Sequence, residues 1–454
     1  MAQQTTPAVL GIHDQINDFL AHEDLASLQA YLIEQHPADI ADALELLDDE
    51  QRVVIFDLLQ IDVAAEVLDE TLTEITRKLT DALPDEKIAD LLDEMPMDDA
   101  AEVLSELQEG RAEDLIGLME PEEAAEVQNL LSFPDDSAGR LMTTKVVRLK
   151  DSWTIEQALE HTRGIDEEVE TLAYLYVVNE SQQLVGVIKV WNLLTAKPEK
   201  PISELMESDV VSVRVDTDQE EAARALSQYD FFAIPVIDHN QHFLGIITHD
   251  DVIDILVDEF SEDMQRLGGS EPLEHTYFST SIPRMIRKRL GWLLLFFATA
   301  TLTGSIMRFY EDTLAAVLAL SFFVPLLIGT GGNAGSQMTA IIIRAIAIGE
   351  VHFRDILRVL SRELITGLIL GTILGIAGLT RAVTWGTSSE VALTVALSIF
   401  ALVIWANLLG MVLPMLAQRL HIDPTVISSP LVLTLVDTTG LLIYFNLARL
   451  IIAP

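Results

Sequence analysis

Apolar positions along the chain fall into three successive regimes. Over residues 15–132 they come at helical spacing in short, strongly acidic stretches. The segment HPADIADALELLDDEQRVVIFDLL, for example, puts Ile40, Leu44, Leu47 and Ile55 on one helical face. A motif recurs as AAEVLDE from Ala64, AAEVLSE from Ala100 and AAEVQNL from Ala124. Repeated helix-turn-helix units of this kind predict a small helical solenoid. Pro37, Pro84, Pro96 and Pro121 stand where its helices would start or stop. Over roughly 137–258 the pattern shifts to short apolar strands alternating with helices. LMTTKVVRLKDSWTIEQALEHT from Leu141 and LMESDVVSVRVDTDQEEAARALSQ from Leu205 open two repeats. Each continues with an apolar strand (LAYLYVV, FFAIPVI), a turn, and LVGVIKVWNLL or FLGIITHDDVIDIL, giving β-α-β-β-α twice. From Asp250 to Leu267 an acidic amphipathic helix runs on toward IPRMIRKRLGW. Beyond it lie five apolar stretches near 290–307, 313–347, 364–380, 391–416 and 430–452, each long enough for a membrane span. The second is expected to break in its middle, at GTGGNAGSQ.

Charge sharpens this division. Of 71 acidic and 28 basic residues, only ten and twelve lie beyond residue 270, so the first 270 residues carry a net charge of −45. Two halves so different belong in two environments, one aqueous and one lipid. The acidic half would repel nucleic acid and concentrate cations. Disorder is the alternative for so acidic a segment, but its acids are interleaved with Leu, Ile, Val and Ala at helical spacing, which supplies a core. With no cysteine in the chain, metal ligands are restricted to oxygen and a few histidines. The first sixty residues hold no signal-peptide-like apolar core, so the N-terminus is expected in the cytoplasm. Arg284, Arg287, Lys288 and Arg289 precede the first span, Arg354, Arg358 and Arg362 lie between the second and third, and Arg419 lies between the fourth and fifth. With the N-terminus inside, all of these fall on the cytoplasmic side and the C-terminus lies outside.

Two features within the membrane half need more than spanning. The run VPLLIGTGGNAGSQ, with Gly331, Gly332, Asn333 and Gln337, suits a watery cavity. Close helix packing through small residues is the alternative, and it accounts less well for Asn333 and Gln337. Asp437 is the only formal charge in PLVLTLVDTTGLLIYF, where a carboxylate costs at least about 2.5 kcal/mol. It marks an ion path, or else a protonated acid bonded to a neighbouring helix. Mg2+ sheds water reluctantly and is held by one or two carboxylates through retained waters, which suits a single Asp437. No second buried carboxylate or His that could couple transport is evident in the spans, which favours a channel over a coupled carrier or exporter of Mg2+, Co2+ or Mn2+. A membrane-anchored Mg2+ sensor that transports nothing would leave Asp437 unexplained. There is no Walker A loop and no nucleophile beside a His in the spans, so the chain does not read as an enzyme.

The doubled β-α-β-β-α repeat resembles a pair of CBS domains, which often bind adenine nucleotides such as ATP. Their ribose-binding pair of Thr or Ser and Asp, three positions apart, is matched by Thr248 and Asp251; the first copy has Lys189 and Asn192 at those places. The acidic helical domain, the CBS pair, GTGGNAGSQ and SPLVLTLVDTTG, in that order, resemble the MgtE family of magnesium channels over nearly the whole chain. The resemblance implies a multidomain fold. Its parts would be an all-α helical-repeat N domain (1–136), two α/β CBS domains (137–200 and 201–258), a connecting plug helix (259–284) and a five-helix α-helical transmembrane pore domain (285–454). It implies a homodimer in the bacterial cell membrane, with the second and fifth spans lining the pore and Asp437 holding hydrated Mg2+. It also implies import of Mg2+ down its gradient, closed off by cytosolic Mg2+. The implied sensing residues are Glu66, Asp98 and Glu102 in the N domain, Asp218, Glu220, Asp230, Asp251 and Asp254 in the second CBS copy, and Glu259, Glu262 and Asp263 on the plug helix. The chain departs from the family at Ser336 and Ser429, where Asn is commoner, and at Trp191 and Asn192, which replace an Arg-Asp pair that helps hold nucleotide.

Overall fold

The computed structural model describes residues 7–71, 73–105, 107, 109–165, 169, 171–273, 277 and 280–452. They form two compact units, Met1–Glu259 and Phe260–Pro454.

The first unit opens with short helices: α1 (Pro7–Ala21), α2 (Leu25–Leu32), α3 (Pro37–Glu45), α4 (Asp49–Leu58), α5 (Ile61–Asp69), α6 (Thr73–Ala82), α7 (Asp85–Glu94), α8 (Met97–Ser105), α9 (Glu109–Ile116) and α10 (Pro121–Leu131). Pro37 and Pro121 occupy first-turn positions of α3 and α10, and Pro84 is the N-cap of α7. Proline fits there because the first helical N–H groups have no partner within the helix. The stretch around Ile40–Ile55 divides into α3 and α4. α3 ends at its C-cap Leu46, Asp48 starts α4 through a capping box with Gln51, and Ile40, Leu44, Leu47 and Ile55 are all buried. The AAEV motifs lie in α5, α8 and α10. Ala64, Ala65, Ala100 and Ala101 are buried, whereas the third copy buries only Val127 and Leu130.

Two three-stranded sheets follow. β1 (Arg148–Lys150), α11 (Ile155–Arg163), β2 (Tyr174–Val178), β3 (Leu184–Lys189) and α12 (Val190–Thr195) make the first copy. β4 (Val213–Arg214), α13 (Gln219–Gln228), β5 (Ala233–Ile237), β6 (Phe243–Thr248) and α14 (His249–Leu267) make the second. Each sheet pairs its first two strands in parallel and its last two antiparallel, with one register shift. The helical domain and the second copy share one hydrophobic core, running from Val9 to Ile255, while the first copy has a core of its own around Leu149, Val177 and Ile188.

In the second unit α15 (Ile282–Phe309), α16 (Glu311–Ala316), α17 (Ala319–Ala347), α18 (Ile356–Thr384), α19 (Ser389–Arg419) and α20 (Ser429–Ile452) follow one another. The helices of α15, α18, α19 and α20 are long and apolar enough to cross a membrane. α17, at 29 residues, is as long but carries the polar run 329–337. That run does not break the helix as the sequence suggested: α17 continues through it. Its backbone groups are satisfied within the helix, and its glycines give neighbours room. A Cβ on Gly331 would lie 2.7 Å from Leu402 of α19, and one on Gly335 3.1 Å from Val436 of α20. Close packing therefore accounts for Gly331, Gly332 and Gly335, but not for Gly329, where a Cβ would meet nothing within 4 Å.

Candidate functional site: an acidic cluster and an intramembrane aspartate

α8 begins with two consecutive acids, Asp98 and Asp99, and α14 has Asp251 in its first turn. Folding of the first unit brings them together: one carboxylate oxygen from each of Asp98, Asp99 and Asp251 lies within 4.8 Å of the other two. Asp251 is held in place, accepting from the backbone N–H of Thr248 at 3.0 Å and from its hydroxyl at 2.6 Å. Burial, followed by the charges of Asp98, Asp69, Asp251 and Glu102, pushes the Asp99 carboxyl up to about 10. Burial also raises that of Asp251, against the two bonds from Thr248. Carboxylates gathered this closely fit a hard divalent cation, whose charge would offset their repulsion.

The other expected sensing residues do not join this cluster. Asp218 caps α13, accepting from the Glu220 N–H at 3.0 Å; Glu220 pairs with Arg224, and burial raises its carboxyl with Glu259 and Asp218 adding to the shift. Glu259 accepts from the Gln219 amide at 2.8 Å. Glu66 and Glu102 are exposed on α5 and α8, Asp254 is exposed on α14, and Asp230 is exposed in a left-handed turn with φ 54°. α14 ends at Leu267, and Gly269, with φ +76°, turns the chain away, so the helix stops well short of residue 284. On its last turns Glu262 and Asp263 are half-buried, and Glu262 pairs with Arg266, which also pairs with Asp423 in the turn before α20. Thr248 and Asp251, the pair expected to meet a ribose, are bonded to each other.

In the second unit Asp437 sits in the third turn of α20, with Oδ1 buried and accepting no hydrogen bond from a described residue. A Cβ on Gly332 would lie 3.4 Å from that oxygen, so α17 passes the carboxylate as bare backbone. Gly331 and Gly332 are buried against α19 and α20, whereas Asn333 and Gln337, one turn apart, are exposed on a face that no described residue covers.

Comparison with known proteins decides the family. Residues 324–447 match the family model described as MgtE, divalent cation transporter; 35–136 match the MgtE intracellular N domain, and 138–199 and 202–258 match CBS domains. The magnesium transporter MgtE of Thermus thermophilus is 38% identical over 440 residues, which cover 96% of this chain and 98% of that protein. The chain belongs to the MgtE family. The Bacillus subtilis magnesium transporter MgtE is 36% identical over 330 residues, 73% of each chain. A crystal structure of the cytosolic domain of the Mg2+ channel MgtE in complex with ATP aligns with a TM-score of 0.52 at 35% identity, covering 54% of this chain and 99% of that one.

Within this MgtE-family fold, sequence reasoning missed Asp99. Its signal was available, since two adjacent acids open α8, but only the packing of α8 against the start of α14 shows that both meet Asp251.

Proposed function

We propose that the chain is a homodimeric Mg2+ channel of the cell membrane, importing Mg2+ down its electrochemical gradient and closing when cytosolic Mg2+ binds its acidic half. The observation that carries this reading is Asp437, a carboxylate with a buried, unbonded oxygen inside a bundle of membrane-length helices. Such a charge is retained in lipid only for a purpose, and a hydrated divalent ion is the partner that suits a lone carboxylate. The Thermus thermophilus relative, a magnesium transporter matching 96% of this chain, supports the same reading.

The Asp98–Asp99–Asp251 cluster supports the regulatory half of the reading. Mg2+ there would favour the arrangement in which α8 and α14 lie together, and a ligand shifts an equilibrium only toward the state it binds better. Dimerisation is supported by exposed faces: the Asn333–Gln337 face of α17 and, in the first unit, the apolar residues Ile253 and Leu256 on α14. The distribution of Lys and Arg supports an N-terminus in the cytoplasm and a C-terminus outside. An adenine nucleotide at the CBS pair is supported by the relative crystallised with ATP and opposed by Trp191 and Asn192 in the first copy.

The test is Mg2+ uptake into proteoliposomes by the wild type and by Asp437→Asn. Removing the charge should lower uptake by about 10- to 1000-fold, the range over which charge-lined sites concentrate ions. Uptake by the variant equal to wild type would remove Asp437 from the path.

A further inference from the structure

Asp437, Thr438 and Thr439 are consecutive on α20, so they point about 100° apart around its axis. Each meets a different helix. Asp437 lies against Gly332 of α17, Thr438 meets Thr303 of α15 hydroxyl to hydroxyl at 3.0 Å, and Thr439 accepts a hydrogen bond from the indole Nε1–H of Trp405 on α19 at 2.8 Å. Both threonine hydroxyls donate to their own helix, Thr438 to the Thr434 carbonyl and Thr439 to the Leu435 carbonyl, each at 2.8 Å. Their oxygens are thereby left as acceptors, with Thr303 and Trp405 as the outside donors. Rotating α20 about its axis would break both bonds at once.

We propose that Trp405, with Thr303, is a positioning residue that sets the rotation of α20 and so aims the Asp437 carboxylate past Gly332, making Trp405 a determinant of ion discrimination that never touches the ion. The inference rests on the reading of Asp437 as the ion-binding group.

The full chain has no native cysteine, so Asp437→Cys supplies a single thiol whose rate of modification by a water-soluble methanethiosulfonate reports where side chain 437 points. Adding Trp405→Phe, which deletes the N–H donor and keeps an aromatic ring, should lower that rate about threefold, as expected for loss of one interhelical hydrogen bond. An unchanged rate overturns the proposal. With Asp437 present, Trp405→Phe and Thr439→Val should each reduce Mg2+ over Na+ discrimination in proteoliposomes by about the same factor. The double variant should be no worse than either, and Thr439→Ser should restore what Thr439→Val loses. Additive losses, or unaltered discrimination in both single variants, also overturn it. Should Asp437→Asn leave Mg2+ uptake intact, the ion-binding reading fails by itself, and the thiol rate still decides whether Trp405 aims position 437.

Discussion

Gly410 of α19 meets backbone. A Cβ built there would lie 2.6 Å from the Gly335 carbonyl of α17 and 3.1 Å from Thr339 Oγ1, and a carbonyl in a helix cannot swing aside as a flexible side chain can. Gly410→Ala should therefore force α17 and α19 apart and cost about 1–3 kcal/mol, read as a lower thermal midpoint in detergent. The same substitution at Gly329, whose Cβ would meet nothing within 4 Å, should leave the midpoint in place or raise it. Single residues were legible in the sequence where chemistry alone isolates them. Asp437 stands out because a lone carboxylate in an apolar run is costly, and marks either an ion path or a protonated acid bonded to a neighbouring helix. Trp405 does not stand out, since an indole in a span is ordinary and only the 2.8 Å bond to Thr439 gives it a task. Asp99 was hidden for the opposite reason, as one acid among 71.

At the scale of the element, α17 shows where composition misleads. Gly, Thr, Asn, Ser and Gln in a membrane stretch read as a break, yet the helix is continuous, with Gly331, Gly332 and Gly335 against neighbouring helices and Asn333 and Gln337 exposed. Thr330 bonds back to the Leu326 carbonyl at 2.7 Å, and Ser336 bonds to the Ser429 carbonyl at 3.3 Å, so polarity is absorbed without unwinding. Asn333→Cys and Gln337→Cys, each introduced into the cysteine-free chain, should react with a water-soluble thiol reagent, while Thr339→Cys, at a fully buried position, should be protected. Equal protection at 333 and 337 would take that face out of the water path. α14 went the other way. Its alternating acidic and apolar character was evident from Asp250 to Leu267, and the structure starts it one residue earlier. Its end at Leu267 was legible too, although the connecting helix expected over 259–284 does not run on past it; what the sequence did not disclose is the pairing of Arg266 with Asp423, a contact across 157 positions.

At the scale of the whole molecule, the asymmetry of charge and hydropathy announced two environments, and the doubled strand–helix pattern announced the paired α/β domains. The meeting of Asp98, Asp99 and Asp251 lay beyond that reading, because it depends on a core shared between the helical domain and the second α/β copy. On the proposed function, a divalent cation that displaces the proton held by the raised Asp99 carboxyl would bridge these acids, so that compaction of the acidic half would depend on divalent concentration. The most direct measurement is single-channel open probability as a function of Mg2+ on the cytosolic face, for the wild type and for Asp98→Asn/Asp99→Asn/Asp251→Asn. Wild-type open probability should fall steeply as Mg2+ rises through the millimolar range, and the triple variant should lose or displace that response with unit conductance preserved. An open probability independent of Mg2+, or one identical curve for both proteins, would contradict the account.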